Sequence, residues 1–285
     1  MRRTIPTRFR LPKMVSGAIF PKPSNVPFVV TLAFASLVVS SVFRVTVSAQ
    51  EQTQPSGPNR EATKTNGAIE GLVLFYGAIP QSPIADDAGV RRELLEADRA
   101  TRGLRYVVAH LTFVNVSSNQ QPALAMKRPA AKSPVVVDQQ DHAFVPRVLA
   151  VREGEPVIFT NSDAANHNVR AASTNPRNEF NVFTGTDGKY EHRFVSDSQH
   201  RPIRLGCDIH PWMQAWIYVF DDSLFAVTDD QGRFRIGSVP PGEYKLVLQQ
   251  PDIRYTHEQR VTISNQEPAM VKIEIRAGNL SQPKE

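Results

Sequence analysis

The sequence predicts an all-β protein made of two β-structured bodies, the first a sandwich or barrel and the second smaller. Three observations predict this. Short apolar runs recur from residue 67 to residue 276, separated by Gly, Pro and Asp turn signals. The last run alternates Val271, Ile273 and Ile275 with Lys272, Glu274 and Arg276, the pattern of a strand with one wet face. Strand-and-turn character continues on both sides of Asp221, whereas the residues able to do chemistry all precede it.

The first 49 residues read as a secretory signal. Residues 1–25 carry Arg2, Arg3, Arg8, Arg10, Lys13 and Lys22 and no acid. Residues 26–43 are apolar, and Val47-Ser48-Ala49 supplies small residues for cleavage before Gln50. Met14 as the start would shorten the basic region. The alternative is an uncleaved anchor, although an 18-residue apolar run bounded by Arg44 is at the short limit for a span. The expected location is the periplasm or the cell surface, with membrane contact only through an uncleaved leader. The leader holds 7 of the 33 Lys and Arg and none of the 28 Asp and Glu, so residues 50–285 carry 26 basic against 28 acidic groups. The formal charge of +5 belongs to the leader, and a nucleic-acid partner is not expected.

Residues 50–66 are polar, contain Pro and Gly and lack periodicity, as expected of a disordered linker. Residues 67–76 read as a strand ended by 77–80. Residues 89–102 suit either a short helix or a strand and turn. Residues 104–116 form a strand, and 117–133 a polar loop. Strands follow at 135–137, 143–151 (with Pro146 at an edge or bend), 156–160, 167–170, 180–183, 190–195, 201–206 and 215–220. Beyond Asp221 come strands at 225–228, 233–236, 244–249, 258–263 and 269–276. A Gly turn at 229–232 and a Pro-Pro-Gly turn at 239–243 separate the early ones.

Cys207 is the sole cysteine, so no internal disulfide forms. A lone exported thiol is a liability or a ligand, and metal ligation would protect it. Cys207-Asp208-Ile209-His210-Pro211-Trp212-Met213 places a thiolate, an imidazole and a thioether in seven residues, and His167 is the obvious second imidazole. Two imidazoles, a thiolate and a weak thioether make a mononuclear electron-transfer copper site. Blander readings exist: Cys207 as a small buried residue, His167 as a core or turn histidine, Met213 as core filler. Trp216 reads as core, and Trp212 as core or docking rim. His110, His142, His192, His200 and His257 lack partners at metal spacing and read as structural or surface residues.

At these residues the chain resembles the cupredoxins, amicyanin-type members above all. Residues 141–161 resemble that fold's second and third strands. Asn161-Ser162-Asp163 followed by His167-Asn168-Val169 resembles the segment of the first histidine ligand, and Cys207-x-x-His210-x-x-Met213 has the short amicyanin-type spacing. The resemblance implies a Greek-key copper domain at 134–221 with one copper ion on His167, Cys207, His210 and axial Met213. It implies that Asn168 ties the ligand strand to the cysteine loop, with Pro211 beside it and Trp212 on a docking rim. Asp208 departs from the family's usual Ser or Thr, and a carboxylate there should favour Cu(II).

Thr228-Asp-Asp-Gln-Gly-Arg-Phe and Val239-Pro-Pro-Gly-Glu-Tyr resemble the carboxypeptidase regulatory-like, transthyretin-type sandwich. That sandwich would take residues 67–120 and 222–278, split by insertion of the copper domain; the alternative is two serial domains. No peptidase activity is implied, since His257-Glu258 is not followed by the second histidine of a His-Glu-x-x-His motif. The expected function is a one-electron carrier without substrate, served by a redox protein donor and acceptor. The alternatives are a module binding a cell-surface or carbohydrate partner, and a copper delivery protein.

Overall fold

The computed structural model describes residues 66–114, 134–197 and 199–280. The expected leader, most of the expected linker, the loop at 117–133 and the last five residues lie outside these. Among the described residues no helix is long and apolar enough to cross a membrane.

The chain is almost wholly β. It opens with β1 (Gly67–Tyr76), β2 (Gln81–Ala85), β3 (Arg91–Glu93) and β4 (Val108–Phe113). The middle holds β5 (Val135–Gln140), β6 (Ala143–Val145), β7 (Val148–Arg152), β8 (Pro156–Asn161), β9 (His167–Ala172), β10 (Phe180–Thr184), β11 (Lys189–Arg193), β12 (Ile203–Gly206) and β13 (Gln214–Phe220). It closes with β14 (Phe225–Val227), β15 (Arg233–Val239), β16 (Gly242–Gln250), β17 (Tyr255–Ile263) and β18 (Ala269–Arg276).

Strand pairing sorts these elements by chain position. β1 lies between β15, antiparallel, and β18, parallel. β4 lies between β14 and β16, and β16 also pairs with β17. These two sheets, built from both ends of the chain, enclose a core of Ile69, Val73, Leu104, Leu111, Phe234, Leu246 and Ile273. The middle strands pair only among themselves, as β10-β9-β12-β13-β7 and β11-β8-β5-β6. Their core holds Val137, Val151, Phe159, Val169, Phe194, Leu205 and Ile217, with Cys207 and Met213. Burying each such side chain contributes roughly 1.5–3 kcal/mol.

β13 joins the two bodies. Ala215, Ile217 and Val219 face the middle core, while Trp216, Tyr218 and Phe220 pack with Tyr106, Val108 and Val148. Its unbroken apolar sequence reflects burial on both faces, where a half-exposed strand would alternate. Trp216 Nε1 donates to Asp252 at 2.9 Å, and the same carboxylate takes Arg147 at 3.4 Å. Thr228 accepts from the Val107 N–H at 2.9 Å and donates to the Leu104 carbonyl at 2.7 Å.

Turn chemistry explains the local departures from expectation. Residues 89–102 form no helix. Asp86 accepts from the amides of Ala88 and Val90, and Asp98 from those of Ala100 and Thr101, so both carboxylates draw the backbone into turns. Residues 143–151 split into β6 and β7 around the cis Val145–Pro146 bond. In the β14–β15 turn, Asp229 accepts from Gln231 and Arg233, and Gly232 takes φ +76.

Candidate metal centre

The centre forms where two strand ends meet. His167 opens β9, and Cys207 follows the last residue of β12. These strands run antiparallel with Gly206 opposite Arg170. That register brings Asn168 beside Asp208, whose N–H donates to Asn168 Oδ1 at 2.7 Å. The loop from Cys207 closes on itself, since the Met213 N–H donates to the His210 carbonyl at 2.9 Å and the Cys207 N–H to the Met213 carbonyl at 3.3 Å. This closure turns His210 back over Cys207.

Three donor atoms converge. His167 Nδ1 and His210 Nδ1 are 2.8 Å apart, and Cys207 Sγ lies 3.9 Å from the first and 3.8 Å from the second. The three define an acute triangle whose equidistant point is about 2.1 Å from each, close to the ~2.0–2.3 Å bonds that imidazole nitrogen and thiolate sulfur make to a d-block ion. The spacing of these three donor atoms therefore suits a metal ion. His167 is fully buried, Cys207 nearly so at 4% exposure, and His210 half-buried. Met213 is buried in the same core as Cys207.

Asp163 orders the site, although the sequence reading gave it no role. Its Oδ2 sits 2.9 Å from His167 Nε2. A carboxylate only accepts, so Nε2 carries the proton and Nδ1 presents its lone pair to the triangle. Asp163 also accepts the Asp141 N–H at 2.7 Å and the His142 N–H at 3.0 Å. Burial pushes its carboxyl up, but the bonds from His142, His167 and Asp141 outweigh burial and hold it below the usual carboxylate range. Burial, followed by the nearby His167 and His142, pushes the His210 imidazole below its ordinary value, which favours the neutral ligand form.

Buried amides fix the surrounding backbone. Asn161 donates to the carbonyls of Ala165 and Thr184, each at 2.9 Å, and accepts the Asp163 N–H at 2.9 Å. Gln139, fully buried, donates to the Asn168 carbonyl at 3.1 Å and accepts from the Thr184 hydroxyl at 2.6 Å. Asn168 Oδ1 accepts from the Cys207 thiol at 3.3 Å, and its Nδ2 donates to Asn181 at 2.7 Å and to Asp208 at 3.2 Å.

Asp208 turns outward. Its carboxylate accepts from Asn181 at 2.8 Å and pairs with Arg170 at 3.2 Å; these partners hold it below the usual range and offset its charge. Pro211 is exposed. Trp212 is half-buried with its ring 5.1 Å from that of His210, and its Nε1 is buried without a hydrogen-bond partner among the described residues. Exposed Ile209 lies on the same loop.

His142 is partly exposed, and it also lies beside the centre. Read from sequence as a structural or surface histidine, it lies with its ring 4.8 Å from that of His210 and 5.3 Å from that of His167. Its separation of 25 residues from His167 matches no common ligand spacing; only the β5–β6 turn brings it near.

No family model and no curated protein matches the chain. Among solved structures, a Cu(I) form of an amicyanin variant is 21% identical, with a TM-score of 0.27, over 32% of this chain and 86% of that one. A second Cu(I) amicyanin variant is 23% identical over the same shares at the same TM-score. The copper-containing nitrite reductase of Thermus scotoductus SA-01 is 22% identical with a TM-score of 0.28, over 38% of this chain and 28% of its own length. At these TM-scores the likenesses carry no weight of their own, and the reading of the centre rests on its geometry.

Proposed function

We propose that the chain is an exported type 1 copper protein that carries single electrons. His167, Cys207 and His210 would hold one copper ion, with Met213 as a further, weak ligand. The observation that carries this reading is the convergence of two Nδ1 atoms and one Sγ around a point about 2.1 Å from each. Copper on such a set would cycle between Cu(I) and Cu(II) with little change of geometry.

The protein's own residues prepare that exchange. Asp163 fixes the His167 tautomer and ring. Burial keeps water and oxidants from the sole thiol. Gln139, Asn161 and Asn168 hold the ligand-bearing segments in place, so little reorganises when the charge changes. Half-buried His210, with Trp212 beside it, offers the route by which a redox protein would exchange an electron. On this reading the copper domain spans 134–221 and is inserted into a carboxypeptidase regulatory-like sandwich formed by 67–120 and 222–278. That outer sandwich would contact a cell-surface or carbohydrate partner.

The test is to purify the full chain without its leader, add Cu(II) and record the visible spectrum beside Cys207→Ala. An intense sulfur-to-copper band that returns over repeated redox cycles supports the carrier. Absence of the band, or equal binding of zinc, contradicts it. A delivery role is favoured by one observation, the partly exposed His142 beside His210. Copper that a mild chelator removes rapidly would support delivery over electron transfer.

A further inference from the structure

His142 stands outside the four proposed ligands, yet the fold places it with care. β5 and β6 are joined by two residues, Asp141 and His142, with Gln140 paired to Ala143. Both turn residues have left-handed backbone, at φ +52 and +54. Such two-residue turns favour Asn or Asp followed by Gly, because the second position penalises a side chain. Here an imidazole occupies the glycine position and accepts that strain. Strain at one residue is retained where the surroundings impose it, and often where function requires it.

The surroundings here are specific. Asp163 accepts the amide protons of both turn residues, and the oxygen that takes the His142 N–H also takes His167 Nε2. One carboxylate thus sets the ligand histidine and the turn bearing His142 against each other. The His142 ring meets those of His210 and His167 edge-on, at interplanar angles of 83° and 86°. One ligand atom from each of the three histidines lies within 4.8 Å of the other two. The His142 side chain is 42% exposed, whereas that of His167 is fully buried.

We propose that His142, His167 and His210 give the centre a second, sulfur-free binding mode, which takes a divalent cation such as Cu(II) or Zn(II) through three imidazole nitrogens at the mouth. The proposal shares two ligands with the copper reading and rests on it to that extent. Three imidazoles suit either ion without a thiolate. His142 and His210 are both partly exposed whereas Cys207 is buried, so an arriving cation meets imidazoles before the thiol.

The experiment uses the full chain without its leader as Cys207→Ala and as Cys207→Ala with His142→Gly. Glycine suits the turn, and matching thermal melts would confirm that both fold. Zn(II) titration gives affinity, and electron paramagnetic resonance of bound Cu(II) counts coupled nitrogens. The single variant is expected to bind Cu(II) with three nitrogens. The double variant should show two, with affinity lower by roughly tenfold or more, the range that changes around a metal site produce. Equal affinities with two coupled nitrogens in both variants would overturn the proposal. A missing sulfur-to-copper band in the unaltered chain would strike the type 1 reading alone, since both alanine variants lack that sulfur.

Discussion

The two sandwiches share an architecture and differ in what they bury. The outer core is mainly apolar, built from residues such as Ile69, Leu104, Phe234 and Ile273, with buried polar side chains such as Thr228 and Gln250 at its margins. At one end of the middle sandwich, Gln139, Asn161, His167, Asn168 and Thr184 are all buried. Buried polar groups destabilise a fold unless each is hydrogen-bonded, and here each has its partner. Stability alone would favour the outer solution. The middle sandwich accepts the harder one because fixed amides and a carboxylate hold ligand atoms in place, which packing alone does less specifically. The outer body covers the second face of β13, the strand that leads away from the ligand loop.

The contrast predicts separable damage. Phe234→Ala in the outer core, where the Phe234 ring also occupies the space beside Gly71, should cost about 3–5 kcal/mol of stability and leave the metal spectrum of the folded fraction unchanged. Chemical denaturation and the visible spectrum of one sample check both halves. A spectrum that changes with that stability loss would break the division between scaffold and site.

The seam between the bodies should respond to acid. His110 on β4 is buried, its Nδ1 has no hydrogen-bond partner among the described residues, and its ring meets His200 and Phe220. Burial, with His200 and Lys245 nearby, lowers its pKa from 6.5 to about 4. The unfolded chain therefore binds a proton that the folded chain refuses between those values. Stability is complete above pH 6.5 and falls as pH drops towards 4, by about 3 kcal/mol. His110→Phe should remove this part of the acid loss, so its advantage over the unaltered chain grows as pH falls from 7 to 4.5. A parallel loss in both proteins would contradict the assignment.

Asp163→Asn sharpens the contrast from the other side. An amide can present its N–H to His167 Nε2 and so favour the wrong tautomer. Metal affinity of the folded protein should fall roughly 10–100-fold, with some loss of stability because the His142 N–H loses its acceptor. Unchanged affinity would remove Asp163 from the account. The smallest effect belongs to Asp208→Asn, because Arg170 and Asn181 already offset that carboxylate. Its reduction potential should move less than that of Asn168→Ala, and a larger shift would restore the direct influence on the copper that the sequence suggested.

Much of this was legible before the structure. Alternation disclosed β18, turn residues bounded β15 and β16, and Cys207-x-x-His210 with His167 named the three converging donors. Other parts were not. The two faces of β13 read only as an apolar strand, because sequence does not say what covers each face. Asp163 was visible four residues before His167, but that separation marks a neighbour only inside a helix, and here a loop folds the chain back. His142 was hidden because a left-handed turn ordinarily signals itself by glycine, and this one carries none.

On the proposed function, His167, Cys207 and His210 hold one ion together. Copper-edge X-ray absorption of copper-loaded residues 50–285 tests this. The expected spectrum has one short sulfur scatterer and two imidazole nitrogens at about 2.0–2.3 Å, with the sulfur absent in Cys207→Ala. A shell of nitrogen and oxygen alone in the unaltered chain would contradict it.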